Sequence, residues 1–372
     1  MALIQPIEDL YPVHPQFMNH DIMHCSAEGM KGNYLYSGRA LGISTPYDII
    51  QLHPELMDEF PVICEHYDRV GLSYSNQIIW NLNYEELKNY AQYEGSYFFF
   101  GEEQHQVARN ENWYRVVDYI NSKNHFIELA QQLGLAIPRT QCFQGMAGIN
   151  DDVLAQIEYP CYLKAAVSVS GVGIYRCESG QELRRYLAYF GPTTPFQIQQ
   201  EIQASTFLNL QYMVTSSRLE RLATTEQILE GWSHQGNRYP VPHSAWHTVD
   251  PMAKWLFSHG MRGIFAFDVA VVKDGCGTDY LPIECNPRFN GASYPTLIAK
   301  KLAIQRWSSR SFNTTHRHLS DLPIRDLEYN SSNQSGIILV NWGSVLVGKL
   351  IVLIAGTPVQ QQKLREELER RL

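Results

Sequence analysis

In the stretch "PIECNPRFNGASYP", residues 282–295, Glu284, Asn286 and Arg288 stand at every second position. A carboxylate, an amide and a guanidinium at that spacing share one face if the stretch is a β-strand, because successive side chains alternate sides. Cys285 then faces the other way, as a buried thiol with no part in the chemistry. The apolar run just before it, "IFAFDVAVV", holds one acid in its middle, Asp268, and leads into "KDGCGTDY". A hairpin closed by Gly275-Cys276-Gly277, with Asp274 across from Thr278, puts Asp268 opposite Glu284. By the same parity Asp279 belongs to the opposite face, at the surface. Asp268, Glu284 and Asn286 supply the hard oxygen donors that suit Mg²⁺, whose shell phosphate oxygens commonly complete. Arg288 adds a planar fork suited to phosphate. A salt-bridged strand end is the bland alternative for such a triad, and the extra acid on the same face counts against it.

A second group lies upstream in "YLKAAVSVSGVGIYRC", residues 162–177. Lys164 falls inside a predicted strand, and Ser168–Gly173 forms a loop whose glycines, Gly171 and Gly173, let backbone N–H groups approach phosphate oxygens beside Ser170. The segment does not end in Gly-Lys-Ser/Thr, and no helix follows at once, so it is neither a P-loop nor a dinucleotide fingerprint. Alone, it reads as an ordinary hairpin turn.

The elements that must position these groups are legible from residue 121 onward. In "NSKNHFIELAQQLGLAIP", Asn121 or Ser122 caps a helix whose Phe126, Leu129, Ala130 and Leu133 form one apolar stripe, and Gly134 and Pro138 end it. A strand at Thr140–Phe143, a helix near 151–157, strands "CYLKAAV" and "GIYRC", and a helix "GQELRRYLAYF" follow. Strands "FQIQQEI" and "NLQYMVT" and a helix near 246–259 lead into the two strands of the proposed hairpin. Residues 1–110, rich in Tyr and His and with weak periodicity, read as a small α/β domain. Thr357, Pro358 and Gln360 form a capping box on the last helix.

The chain has 372 residues, 44% hydrophobic and 18% charged, enough for several packed subdomains. Its net charge of −8 argues against nucleic acid or an anionic membrane as the main partner. Seven scattered cysteines, never in a CxxC pair, fit reduced thiols in a cytoplasmic protein and give no zinc framework. The first residues show no basic-then-apolar leader pattern. The apolar segment "GIILVNWGSVLVGKLIVLIAG" is interrupted by Asn341, Ser344 and Lys349, whereas a spanning helix needs about twenty mostly apolar residues. It reads as consecutive buried strands.

Taken in order, Lys123 opening a helix, Lys164 before a Ser/Gly loop, and Asp268 followed by Glu284-x-Asn286-x-Arg288 resemble the ATP-grasp carboxylate–amine ligases across roughly residues 115–305. The resemblance implies an α/β ATP-grasp fold with a pre-ATP-grasp domain at 1–115, a small lobe at 116–195, a large lobe at 196–309 and a strand-and-helix domain at 310–372. It implies that Lys123, Lys164 and the Ser170–Gly173 loop hold ATP phosphates. Gln200, Glu201 and Ile202 flank the adenine, with Gln200 standing where a glutamate is usual and Thr206 and Asn209 near the missing ribose-binding acid. Asp268, Glu284 and Asn286 hold two Mg²⁺ ions, which Mn²⁺ can replace, and Arg288 and Lys164 act on the phosphoryl group. "TTEQILEGWSHQGNRYP", with Gln227, Gly231, Gly236 and Asn237, and the tail "GKLIVLIAGTPVQQQ" are similar to the pheganomycin-type peptide ligases.

The expected reaction joins a small-molecule carboxylate to an amine through an acyl phosphate, releasing ADP and phosphate, on a chain that the resemblance allows to be a homodimer. An ATP-grasp phosphotransferase and a non-catalytic ATP-binding regulatory protein are the rival readings. His105, His125, His234 and His243 could move a proton but are ordinary packing or surface residues until geometry says otherwise. The aromatic residues Trp113, Tyr114, Trp232, Tyr239 and Tyr294 read as either a substrate wall or core.

Overall fold

The computed structural model describes residues 15–26, 31–168, 173–215, 217–231, 233–273 and 277–372. Four short strands, β1 (Gln16–Asn19), β2 (Ile49–Gln51), β3 (Gln77–Ile79) and β4 (Glu94–Tyr97), form a parallel sheet in the order β3-β2-β1-β4. The chain steps outward from β1 to β3 and then returns to set β4 on the other side of β1. Between β1 and β4 the order therefore reverses, which opens a crevice at their C-terminal ends.

A second sheet is antiparallel, ordered β5-β8-β6-β7, from β5 (Thr140–Phe143), β6 (Cys161–Ala165), β7 (Ile174–Cys177) and β8 (Phe196–Gln200). Leu163, Phe196, Ile198 and the helix residues Leu183 and Leu187 are buried against it. The expected helix before it runs Lys123–Gln132, follows Ser122 in extended conformation, and is succeeded by Gly134 at φ +67°, the left-handed conformation glycine favours. Phe126, Leu129 and Ala130 are buried, as the apolar stripe requires.

The third sheet has eight strands in the order β13-β12-β9-β10-β11-β14-β16-β15. They are β9 (Ala204–Val214), β10 (Leu219–Glu230), β11 (Ser233–Tyr239), β12 (Gly263–Lys273), β13 (Thr278–Asn286), β14 (Trp307–Asn313), β15 (Gly336–Asn341) and β16 (Lys349–Ala355). The C-terminal strands thus extend the same sheet that carries β12 and β13. Gly236 in β11 permits this junction: a Cβ there would sit 1.9 Å from the Ser309 carbonyl oxygen of β14. The apolar segment at 336–356 is β15, a 3-10 turn at Gly343–Val347 and β16; among the described residues no helix is long and apolar enough to cross a membrane. Thr357 caps the last helix, Pro358–Arg371, with its hydroxyl on the Gln360 N–H and the Gln360 side chain returning the bond.

One ion cluster at the edge of the core fastens the C-terminal segment to the helix Phe60–Val70, with His66 buried and Arg69 exposed. Arg69 donates to Glu328 through Nε at 2.7 Å and Nη2 at 2.8 Å. His66 Nε2 accepts the Leu339 N–H at 3.1 Å, so its Nδ1 carries the proton and donates to Glu328 at 2.8 Å. Burial lowers the pKa of His66 and keeps the ring neutral. Burial alone would raise Glu328, but Arg69 and His66 outweigh it and hold the carboxyl at about 2. Glu328→Gln should cost about 1 kcal/mol near neutral pH, because water at the partly exposed Arg69 guanidinium screens the loss of its counter-charge. A depressed carboxyl stabilises above its unfolded pKa and loses that contribution as pH falls through the folded value. Urea unfolding of the two proteins should therefore converge as pH drops below the ordinary carboxylate range; a constant gap would contradict this assignment.

Candidate active site

Strands β12 and β13 bring Asp268 and Glu284 face to face, by a route the simple hairpin does not anticipate. The ladder begins by pairing Lys273 with Thr278, not Asp274 with Thr278; residues 274–276 of the proposed loop lie outside the described residues. Val269 pairs with Pro282, and the next pair is Asp268 with Glu284, so Ile283 is an extra residue, a β-bulge. Without it Asp268 would oppose Ile283 and the two acids would occupy opposite faces. The same shift sets Asp279 across from Val272, so its parity with Glu284 is not the simple one expected, although it is exposed as anticipated.

Asp268 is surrounded by amides. Asn209 Nδ2 and Gln227 Nε2 each donate to its Oδ1 at 2.7 Å, and Asn286 Nδ2 donates to Oδ2 at 3.0 Å. Asn286 Oδ1 in turn accepts from Arg288 Nη1 at 2.5 Å. Asn209 and Gln227 are residues that sequence reasoning does not assign to the metal site. Their signal is a run of polar side chains at alternate positions, clear for Asn209 and Gln211 in the mostly apolar β9 and masked for Thr225 and Gln227 by the many polar residues of β10. The band continues into β11, where Asn237 donates to Thr225 Oγ1 at 3.1 Å and its Oδ1 lies 2.8 Å from His234 Nε2. His234 is therefore the one of the four candidate histidines tied to this band; His105, His125 and His243 pack against Tyr114, Tyr119 and Tyr280.

The two lysines arrive from the small-sheet side. The Lys123 N–H donates to the Ala166 carbonyl at 2.7 Å, pinning the helix start onto the end of β6. Its Nζ lies 3.2 Å from Glu284 and donates to Ser168 Oγ at 3.0 Å. A lysine in a first helical turn opposes the macrodipole, and Glu284 offsets that. Lys164 on β6 donates to Gln199 Oε1 at 2.7 Å. Burial lowers its pKa to about 8; Glu284 favours the ammonium and Lys123 opposes it. Burial also pushes Asp268 up, to about 7, with the Glu284 charge adding to the effect. Burial works against ionised Glu284 as well, but Lys123, Lys164 and Arg288 together hold it below the usual range. Cys285 is buried, its thiol pushed well above the ordinary value by burial, as an inert core residue should be.

Lys123, Lys164, Asp268, Glu284, Asn286 and Arg288 thus come together. Ser170 and Gly171 lie outside the described residues, and Gly173 is at φ +78° before β7. Gln200, Glu201 and Ile202 lie at the end of β8. Gln200 turns its amide to Glu158 at 2.7 Å, while Glu201 takes Arg176 Nε at 2.6 Å and the Tyr162 hydroxyl at 2.9 Å. The Glu201 carboxylate is therefore committed to an ion pair within the small sheet.

A divalent cation fits the acidic edge. Among the described residues no three His, Cys, Asp or Glu side chains cluster as a metal site, so the donors are two carboxylates with amides beside them. Two half-buried acids side by side, one driven toward its neutral form, are what a bound cation would relieve. Asn286 points its amide N–H at Asp268, so its oxygen reaches a shared ion only with the amide turned over. A carboxyl raised in the folded state stabilises below its unfolded pKa and loses this as pH rises through the folded value. Metal-free wild type should therefore lose thermal stability relative to Asp268→Asn between about pH 4 and about pH 7, and millimolar Mg²⁺ should narrow the difference. Parallel melting curves across that range would contradict the coupling.

No family model matches the sequence, and no curated protein does. Solved structures do. An ADP complex of an N5-carboxyaminoimidazole ribonucleotide synthetase superposes with TM-score 0.57 at 13% identity, over 79% of this chain and 85% of that one. The carboxyaminoimidazole ribonucleotide synthase of Aspergillus clavatus, complexed with ATP, gives TM-score 0.54 at 13% identity over 85% and 97% of the two chains. An L-amino acid ligase from Bacillus licheniformis gives 0.52 at 11% identity over 84% and 94%. None of these three is a pheganomycin-type ligase. They share the ATP-grasp architecture, and this chain has the ATP-grasp fold.

Proposed function

We propose that this chain is an ATP-dependent carboxylate–amine ligase acting on small molecules. The observation that carries the reading is the charge pattern of one half-buried cluster: Lys123, Lys164 and Arg288 gathered around Asp268 and Glu284. Three cations suit the phosphates of a nucleotide, and a carboxylate pair suits the divalent ion that accompanies them. The solved structures with this fold include ADP and ATP complexes and an amino acid ligase, which supports the same class. The boundaries near residues 115, 195 and 309 are proposed as the limits of an N-terminal domain, a small lobe, a large lobe and a C-terminal extension.

A free carboxylate has no good leaving group, so it must be activated before an amine can displace one of its oxygens. In the proposed reaction a carboxylate oxygen attacks the γ-phosphorus, the bond to ADP breaks, and its electron pair leaves with ADP. The amine then attacks the acyl carbon, phosphate departs with the electron pair of the C–O bond, and the proton lost by the nitrogen passes to the departing phosphate or to water. Lys164 and Arg288 offset the charge on the transferring phosphoryl group. Lys123 keeps Glu284 ionised and ties it to Ser168, at the start of the glycine-containing loop. Magnesium held by Asp268 and Glu284 would supply further positive charge at the phosphates. Positioning does the rest, and no nucleophilic side chain is required.

Incubation with MgATP and pooled amino acids and small peptides tests this directly, with ADP, AMP, phosphate and new masses read together. ADP plus phosphate with an amide product is expected. Phosphate retained in the product indicates a phosphotransferase, AMP with pyrophosphate indicates adenylation, and bound ATP without turnover indicates a regulatory protein. Arg288→Ala and Glu284→Ala should each lower turnover on the order of 10²–10³-fold while remaining folded. Cys285→Ser should keep most of the activity, and a folded but inactive Cys285→Ser would show that the thiol has been misassigned.

A further inference from the structure

A fourth cation stands beside this cleft, on the N-terminal side, and the chemistry above leaves it unused. Arg39 is only 6% exposed. Its Nε donates to the Tyr36 carbonyl at 3.2 Å. Its guanidinium carbon lies 4.4 Å from the ring centre of Tyr294, 4.7 Å from that of Tyr36 and 5.0 Å from that of Phe98. Among the described residues no carboxylate pairs with it, and Nη2 is buried without a hydrogen-bond partner. Aromatic faces attract a cation but do not replace the hydrogen bonds its N–H groups lose on leaving water. A buried charge without a counter-ion is costly, and proteins keep one where a ligand supplies the opposite charge.

Its place in the fold points to which ligand. Arg39 packs on the ends of the parallel strands flanking the crevice between β1 and β4, where open α/β sheets take their ligands. That crevice abuts the catalytic strand. The Phe289 N–H donates to the Phe98 carbonyl at 3.0 Å, and Phe99 forms a β-bridge with Arg288. His20, after β1, bonds the Tyr294 hydroxyl at 2.9 Å and Ser96 Oγ at 3.1 Å, and burial with the nearby Arg39 charge lowers it to about 3. Its ring is neutral and supplies no counter-charge. Half-buried Cys25, whose thiol burial pushes up to about 12, feels the field of Arg288, then that of the buried carboxylate Asp21, then that of Arg39. Both guanidinium groups and one carboxylate therefore border the same spot, Asp21 forming no ion pair with Arg39 among the described residues.

We propose that Arg39 receives a second anionic group, a carboxylate or phosphate that takes no part in the reaction, on a substrate held beside Arg288. The substrate class is then a small molecule with one reacting group and one spectator anion. This deepens the ligase reading and rests on it for the identity of the reaction, but anion capture at Arg39 is measurable without turnover.

Titration calorimetry with inorganic phosphate and with succinate, each in the presence of MgADP, compares wild type with Arg39→Met and Arg39→Lys. Wild type should bind at least one anion, Arg39→Met should bind it about tenfold to a hundredfold more weakly, and Arg39→Lys should fall between. A preference for phosphate assigns the spectator group as phosphate, and a preference for succinate assigns it as carboxylate. No binding by wild type, or equal affinity in Arg39→Met, overturns the proposal. A guanidinium that merely fills space would lower the melting temperature and leave anion affinity unchanged. If Arg39→Met does not fold, wild-type affinity in Arg39→Lys overturns the proposal in its place. Once a reacting pair is known, Arg39→Met should raise KM for the substrate bearing the extra anion, with kcat little changed, and spare the analogue lacking it. If no acid or amine is turned over, the ligase reading fails while the titration still decides the role of Arg39.

Discussion

The contact between Lys123 and Glu284 joins the two halves of the cleft. Lys123 opens a helix fastened to the end of β6, and Glu284 lies on β13 at the edge of the large sheet. Neither would be comfortable alone, because a lysine is disfavoured at a helix start and a carboxylate is disfavoured when buried. Their charges add to burial in setting the ionisation of the groups near them. Glu284 stays charged because three cations surround it, and that charge is one reason Asp268 drifts toward its neutral form. Burial brings Lys164 to about 8, with Glu284 and Lys123 acting on it in opposite senses. The cleft is an electrostatic system that a polyanion and a divalent cation would complete.

The sheets supply the precision that this balance needs. A single bulged residue, Ile283, keeps two acids on one face, and amides from β9, β10 and β13 hold the Asp268 carboxylate from three directions. The N-terminal parallel sheet contributes from the opposite side. Its point of reversed strand order meets the segment Arg288–Phe289 through backbone contacts at Phe98 and Phe99. On the proposed reading, phosphate chemistry and substrate choice fall to different layers of the molecule that touch at Arg288.

Much of this was legible in the residues themselves. The alternation in "IECNPR" and the lone acid in "IFAFDVAVV" place Asp268 against Glu284, and the helix opened by Lys123 follows from its cap, stripe and terminal glycine. The bulge was not legible, because nothing in "YLPIEC" distinguishes an extra residue from a regular strand; the right pairing emerged despite a hairpin register that differs by one residue at the turn. Asn209 and Gln227 escaped because strand pairing across β9, β10 and β12 decides what an isolated amide touches. Arg39 escaped for a stronger reason: that its Nη2 is buried without a hydrogen-bond partner, and that no carboxylate among the described residues pairs with it, is something only packing reveals. The apolar segment at 336–356 shows the reverse case, where interrupting polar residues correctly signalled strands.

The central claim, that a carboxylate is activated by phosphoryl transfer at the Lys164–Arg288 end of this cleft, is most directly tested by following the oxygen. With MgATP, an amine and an acid carrying heavy oxygen in its carboxylate, the released phosphate should contain one labelled oxygen, visible by phosphorus NMR or mass spectrometry. Unlabelled phosphate accompanying amide formation, or label appearing in AMP, would contradict the account.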